Sequence, residues 1–183
     1  MKKKMLMLIC ICFFSGYNLL AYGQDVKFPL PDSSNATLKE TLEWLKEKFD
    51  GISGLSSHKN YITQSFTYDL TEKKIIITQI NKEGKCKWTF VYKIPISSIN
   101  GASLNIFKNI KYNEIYYRYD IFCESKIIQC KCSLYCDDGS GSSSNSNSNS
   151  TSLIYPNLDE NMANRFNKAF NHIYNLCKKS EKF

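Results

Sequence analysis

An α+β domain built on antiparallel strands is the fold class that three features of the chain predict. Two segments, near its two ends, repeat their apolar residues at helical spacing. Between them, from Tyr61 onward, the period changes to two. The alternating stretches follow one another through short breaks rich in Asn and Gly, which favours antiparallel neighbours over the crossovers that parallel strands need. The 183 residues are 43% hydrophobic and include 12 Tyr and 11 Phe. That is enough apolar surface for one core and too much for a disordered chain.

In chain order, residues 1–23 have the form of a secretory signal. Lys2, Lys3 and Lys4 are its positive start, Met5 to Phe14 its apolar run, and Ala21-Tyr22-Gly23 the small-residue stretch before a cut near Gln24. The apolar run is short of the roughly 20 residues a membrane span requires, and no later segment approaches that length, so no transmembrane segment follows removal of the signal. A secreted or periplasmic protein is expected. Residues 24–36 read as an extended lead-in, and 37–180 as a single domain.

Within that domain, Thr37-Leu38-Lys39-Glu40 has the pattern of a capping box. It opens a helix over about 37–50, with Leu38, Leu42, Leu45 and Phe49 on one face and Gly51 as its stop. Strands are expected at about 60–69, 73–81, 86–96, 103–110, 115–123 and 126–136, with a short one at 152–156. In the third, Cys86, Trp88, Phe90, Tyr92 and Ile94 share one face, while Lys87, Thr89, Val91 and Lys93 share the other. Asn81 to Gly84 and Lys111 to Glu114 read as hairpin turns, and Asn100-Gly101 as another turn. Residues 137–152, composed of Ser, Asn, Gly, Asp and Thr, read as a flexible loop, because small polar side chains bury little. A closing helix over about 159–178 carries Met162, Phe166, Ala169, Phe170, Ile173 and Leu176 on its apolar face. The whole is expected to form a meander of about seven strands, as a bent sheet or barrel with a helix at each end.

Element order over residues 60–178 resembles the pleckstrin-homology-like barrel, which implies two orthogonally packed sheets with the C-terminal helix plugging one open end. Thr37 to Lys48 and Asn161 to His172 are also similar to the two ends of small exported bacterial proteins of unassigned function, a likeness that implies no activity.

The formal charge is +7, from 24 Lys+Arg against 17 Asp+Glu. Losing the signal removes three lysines, leaving 21 against 17, or +4. Arg118 and Arg165 are the only arginines, and Lys alternates with acids in Glu72-Lys73-Lys74 and Lys82-Glu83-Gly84-Lys85. This composition reads as a mixed solvated surface and excludes nucleic acid as a partner.

Removing the signal leaves six of the eight cysteines: Cys86, Cys123, Cys130, Cys132, Cys136 and Cys177. They are disulfide candidates in an exported chain, and Cys123 facing Cys130 across a turn at 124–126 is one candidate pairing. Buried thiols are the alternative, since each stands on an apolar face. Cys130-x-Cys132-x3-Cys136 lacks the spacing of a zinc knuckle, and no metal or other cofactor is expected. His172 and Cys177 are five apart on one helix and do not share a face. His172 itself reads as a surface or flanking residue. Asp137-Asp138-Gly139 lacks the remaining oxygens of a calcium loop. No catalytic residues are assigned.

The expected function is an exported, non-enzymatic binding or interaction domain whose partner is a protein or a small apolar ligand. Tyr116, Arg118 and Tyr135 are its candidate surface, because Tyr and Arg concentrate at interfaces. Two other functions fit the chain. One is an exported thiol- or metal-dependent enzyme using cysteines in 123–136; the other is a structural component of an envelope assembly.

Overall fold

The computed structural model describes residues 22–27, 34–55, 61–109, 114–155 and 160–180. Helix α1 (Leu38–Phe49) begins where the capping box places it. The Thr37 hydroxyl accepts from the Glu40 amide at 3.2 Å, and the Glu40 carboxylate accepts from the Thr37 amide at 2.7 Å. The Thr37 amide, and the Thr37 hydroxyl 2.8 Å from the same carboxylate oxygen, hold the Glu40 carboxyl below its ordinary pKa. The helix ends at Asp50, and Gly51 takes the left-handed φ of 67° that turns the chain away. Asp50 then reaches into the sheet, where its carboxylate accepts the Phe66 amide.

The strands form two antiparallel sheets. The larger runs β2 (Ile52–Leu55), β3 (Tyr61–Asp69), β4 (Lys74–Glu83), β5 (Cys86–Pro95), β8 (Ile128–Cys136) and β9 (Gly141–Ser148). The smaller runs β1 (Tyr22–Lys27), β6 (Ile99–Asn109), β7 (Glu114–Cys123) and β10 (Ser150–Ile154). Sequential neighbours pair from β2 to β5. The chain then leaves for the second sheet, makes the β6–β7 hairpin, and returns so that β8 lies beside β5. The Gly84–Lys85 turn between β4 and β5 has two residues, with Gly84 at φ 59°, as such tight hairpins require.

Helix α2 (Glu160–Ser180) closes the domain against α1 and the smaller sheet. Phe49 is the centre of the packing. Its ring lies 5.9 Å from Phe66 of the larger sheet, 6.3 Å from Tyr119 of the smaller one, and 4.4 Å from Phe166 of α2. Leu42, Leu45, Ile75, Ile77, Ile94, Ile121, Phe170 and Ile173 fill the remainder, all fully buried. Tyr119 donates its hydroxyl to Asn167 of α2 at 2.6 Å, which satisfies a phenol that burial keeps un-ionised.

Four expectations are corrected. Residues 141–148 form strand β9 rather than a loop, with backbone pairing to β8 along its length. Ser and Asn side chains add little burial there, but pairing is a backbone property and β8 offers a free edge. The same segment continues into β10, where Thr151 and Leu153 are buried. Asn100-Gly101 is a bulge in β6 where the register against β7 shifts, not a turn. Residues 124–127 carry the chain from one sheet to the other, so Cys123 and Cys130 do not face each other. His172 is buried, its Nε2 2.6 Å from the Ala36 carbonyl, because α2 packs under the segment that leads into α1. The first 21 residues of the expected signal lie outside the described residues, as do the Lys111–Asn113 part of an expected turn and Asp159 of the expected helix. Strand β1 spans the expected cut, with Tyr22 and Gly23 before it and Gln24 to Lys27 after it.

A basic outer face on the six-stranded sheet

Alternation divides the larger sheet into two faces, and the register shows which residues stand side by side. On the core side, Phe66, Ile77, Tyr92 and Cys130 form one cross-strand row. The next holds Gln64, Gln79, Phe90 and Cys132, and the third Asn81, Trp88 and Leu134. Trp88, Phe90 and Tyr92 stack along β5 at 6.4 Å spacings. Cys86 and Cys136 end this side as a directly paired position, joined by a disulfide. It fixes β5 against β8 one residue from the Lys87 and Tyr135 pair.

Among the described residues, the remaining cysteines, Cys123, Cys130, Cys132 and Cys177, are thiols. Burial pushes the Cys123 thiol up, outweighing the hydroxyl that Ser98 donates to its sulfur at 3.2 Å. A nucleophilic thiol needs the opposite shift. Among the described residues, no group of three or more His, Cys, Asp or Glu converges in a way that could hold a metal ion.

The outer side of the same sheet has a different chemistry. Lys82 of β4 stands directly opposite Lys87 of β5, and Lys87 directly opposite Tyr135 of β8. Lys131 lies two rows away on β8, opposite Val91, and Lys93 one row further on β5. Rows are about 7 Å apart along a strand, so these lysines extend over roughly 20 Å. All four are exposed, and among the described residues none makes an ion pair or a side-chain hydrogen bond. Thr89, Ser133 and Gln129 lie among them, Thr89 and Ser133 forming one cross-strand pair, and so do the half-buried Ile76, Ile80 and Val91. Tyr135 is 64% exposed, the most open large apolar side chain among the described residues. Beside it, a Cβ on Gly141 would lie 3.0 Å from the Leu134 carbonyl oxygen, so β9 passes too close for a larger residue.

The three expected surface residues do not form one patch. Tyr135 lies on the larger sheet, while Tyr116 and Arg118 belong to β7 of the smaller one. Arg118 directs Nε and Nη2 onto Asp120, at 2.9 and 3.0 Å. Asp120 is itself buried and also accepts the Ser152 hydroxyl of β10. The guanidinium therefore ties neighbouring side chains of its own sheet together.

The lysine face was hidden by reading charge along the chain. Lys82 and Glu83 are adjacent in sequence but alternate across the strand, so Glu83 falls on the other side with Cys86. Two-residue periodicity sorts the charges strand by strand, but only the pairing of β4, β5 and β8 brings the lysines to one surface. No protein-family model, curated protein or solved structure matches the chain. Its geometry defines an antiparallel α+β domain with one core-facing and one lysine-bearing side to its main sheet.

Proposed function

We propose that the protein is an exported, non-catalytic binding domain whose outer sheet face holds an anionic polysaccharide. The observation that carries this reading is the pair Lys82 and Lys87, set directly opposite each other with no ion pair to an acid among the described residues. Such a pair costs folding stability, on the order of half a kcal/mol, and an anion lying across the strands turns that cost into affinity. A reach of roughly 20 Å suits repeated negative groups better than one small anion. Lysine supplies point charges without the planar fork that reads bases, and the two arginines of the chain lie on β7 and α2. Hydroxyl and amide side chains between the lysines match sugar hydroxyls, and the open Tyr135 ring offers a flat apolar surface for a pyranose. Export is supported by the form of the first 23 residues and by the Cys86–Cys136 disulfide, since such bonds persist in oxidising compartments. Among the described residues, no helix is long and apolar enough to cross a membrane.

Titration of the purified protein with polygalacturonate, with neutral dextran and single-stranded DNA as controls, tests this. Binding to polygalacturonate should weaken steadily as salt rises. The double variant Lys82→Glu/Lys87→Glu should lose about tenfold or more in affinity, equivalent to about 1.4 kcal/mol, and Tyr135→Ala a few-fold. Unchanged binding by the charge-reversed variant would remove the reading, and tighter binding to DNA would assign the face to nucleic acid.

A further inference from the structure

The two sheets have four edges, and three of them are closed to a further strand in different ways. β2 is only four residues long. β1 carries Asp25 and Lys27 in a six-residue strand. β10 is capped by glutamines of the other sheet: Gln64 accepts the Ile154 amide at 2.9 Å and donates to the Ile154 carbonyl at 3.3 Å, while Gln79 donates to the Ser152 carbonyl at 2.7 Å. Short length, charge and covering side chains are the usual protections of a sheet edge. β9 has none of them. It runs eight residues, Gly-Ser-Ser-Ser-Asn-Ser-Asn-Ser, without charge, proline or bulge, and among the described residues it pairs on one side only, with β8.

We propose that a second copy of this chain occupies that edge, β9 pairing antiparallel with β9 about a two-fold axis to make one continuous twelve-stranded sheet. The sequence is self-complementary for this arrangement. Residues opposite each other across an antiparallel pair share a face, and the even positions 142, 144, 146 and 148 are all Ser. The odd positions 143, 145 and 147 are Ser, Asn and Asn. An antiparallel copy therefore sets Ser against Ser on one side and amides against amides or hydroxyls on the other, with no apolar or charged mismatch. Among the described residues each copy has one unprotected edge, so the pairing closes at two chains. The proposal is independent of polysaccharide binding, although pairing would bring two lysine faces into one surface and strengthen attachment to a polymer.

Sedimentation velocity of the purified protein without polysaccharide is the test. The protein should sediment at about twice its monomer mass, and Asn145→Lys/Asn147→Lys, placing charges at exposed edge positions, should sediment as a monomer that keeps its circular dichroism spectrum. Amide exchange provides a check that does not depend on the variant folding: amides of residues 142–148 should exchange more slowly as protein concentration rises. A wild-type protein that stays monomeric up to about 1 mM would overturn the proposal. So would a dimer that survives both lysines, or exchange in β9 that does not respond to concentration.

Discussion

The two sides of the six-stranded sheet come from the same strands, one residue out of phase, and they are built for opposite tasks. On the core side, Phe66, Ile75, Ile77 and Ile94 are fully buried, and the glutamines there are tied into the structure, leaving the buried Asn81 Oδ1 as the one unmet side-chain oxygen of these rows among the described residues. Gln64 alone makes hydrogen bonds to the Phe49 carbonyl, to both backbone groups of Ile154, and to Gln79. On the outer side, like charges face each other and a tyrosine stands open. A core side is optimised for stability, since each unmet polar group or void costs free energy there. The outer side departs from that optimum, which is the contrast the proposed polysaccharide binding rests on.

The contrast breaks most sharply by truncating Phe66, whose ring stacks on Phe49. Phe66→Ala should lower unfolding stability by about 3–5 kcal/mol, read as a fall in the urea midpoint. A loss below about 1 kcal/mol would mean that the core side is not the stabilising one. Next comes the staple between β5 and β8. Cys86→Ser/Cys136→Ser should cost about 2–4 kcal/mol. In the wild-type protein without its first 23 residues, alkylation under denaturing, non-reducing conditions should label Cys123, Cys130, Cys132 and Cys177, and reduction should add Cys86 and Cys136. Labelling of all six before reduction would show that the bridge is absent. The smallest effect sharpens the contrast. Lys87→Glu turns the like-charge pair with Lys82 into an opposite one and should raise stability by a few tenths of a kcal/mol, while weakening polygalacturonate binding. If the same variant lowered stability, the outer side would be serving the fold as well.

Much of the fold is legible in the sequence. The capping box at Thr37 fixed the start of α1, and alternation located six strands to within a few residues. Both are local signals, complete within a few neighbouring positions. β9 was not legible, because its pairing rests on backbone groups and its side chains carry no apolar period. The candidate surface was legible only in part: Tyr135 was singled out from composition, but its lysine neighbours were read as one half of an alternating mixture. Arg118 carried an interface signal, yet its guanidinium is engaged by Asp120, a relation two residues away on one face that spacing alone permits without requiring.

By itself, the sequence determined which residues of each expected strand share a face, where the helices begin and end, and that the six cysteines after residue 23 stand among apolar neighbours. The tertiary structure decided which strands lie side by side. That choice placed β8 against β5, joined Cys86 to Cys136 across 50 residues, collected Lys82, Lys87, Lys93 and Lys131 on one surface, and turned Gln64 into the cap of a strand 90 residues away. The physical reason is that periodicity is a property of one stretch of backbone. Strand neighbours, by contrast, are selected by burial and hydrogen bonding between stretches that only the folded chain brings together.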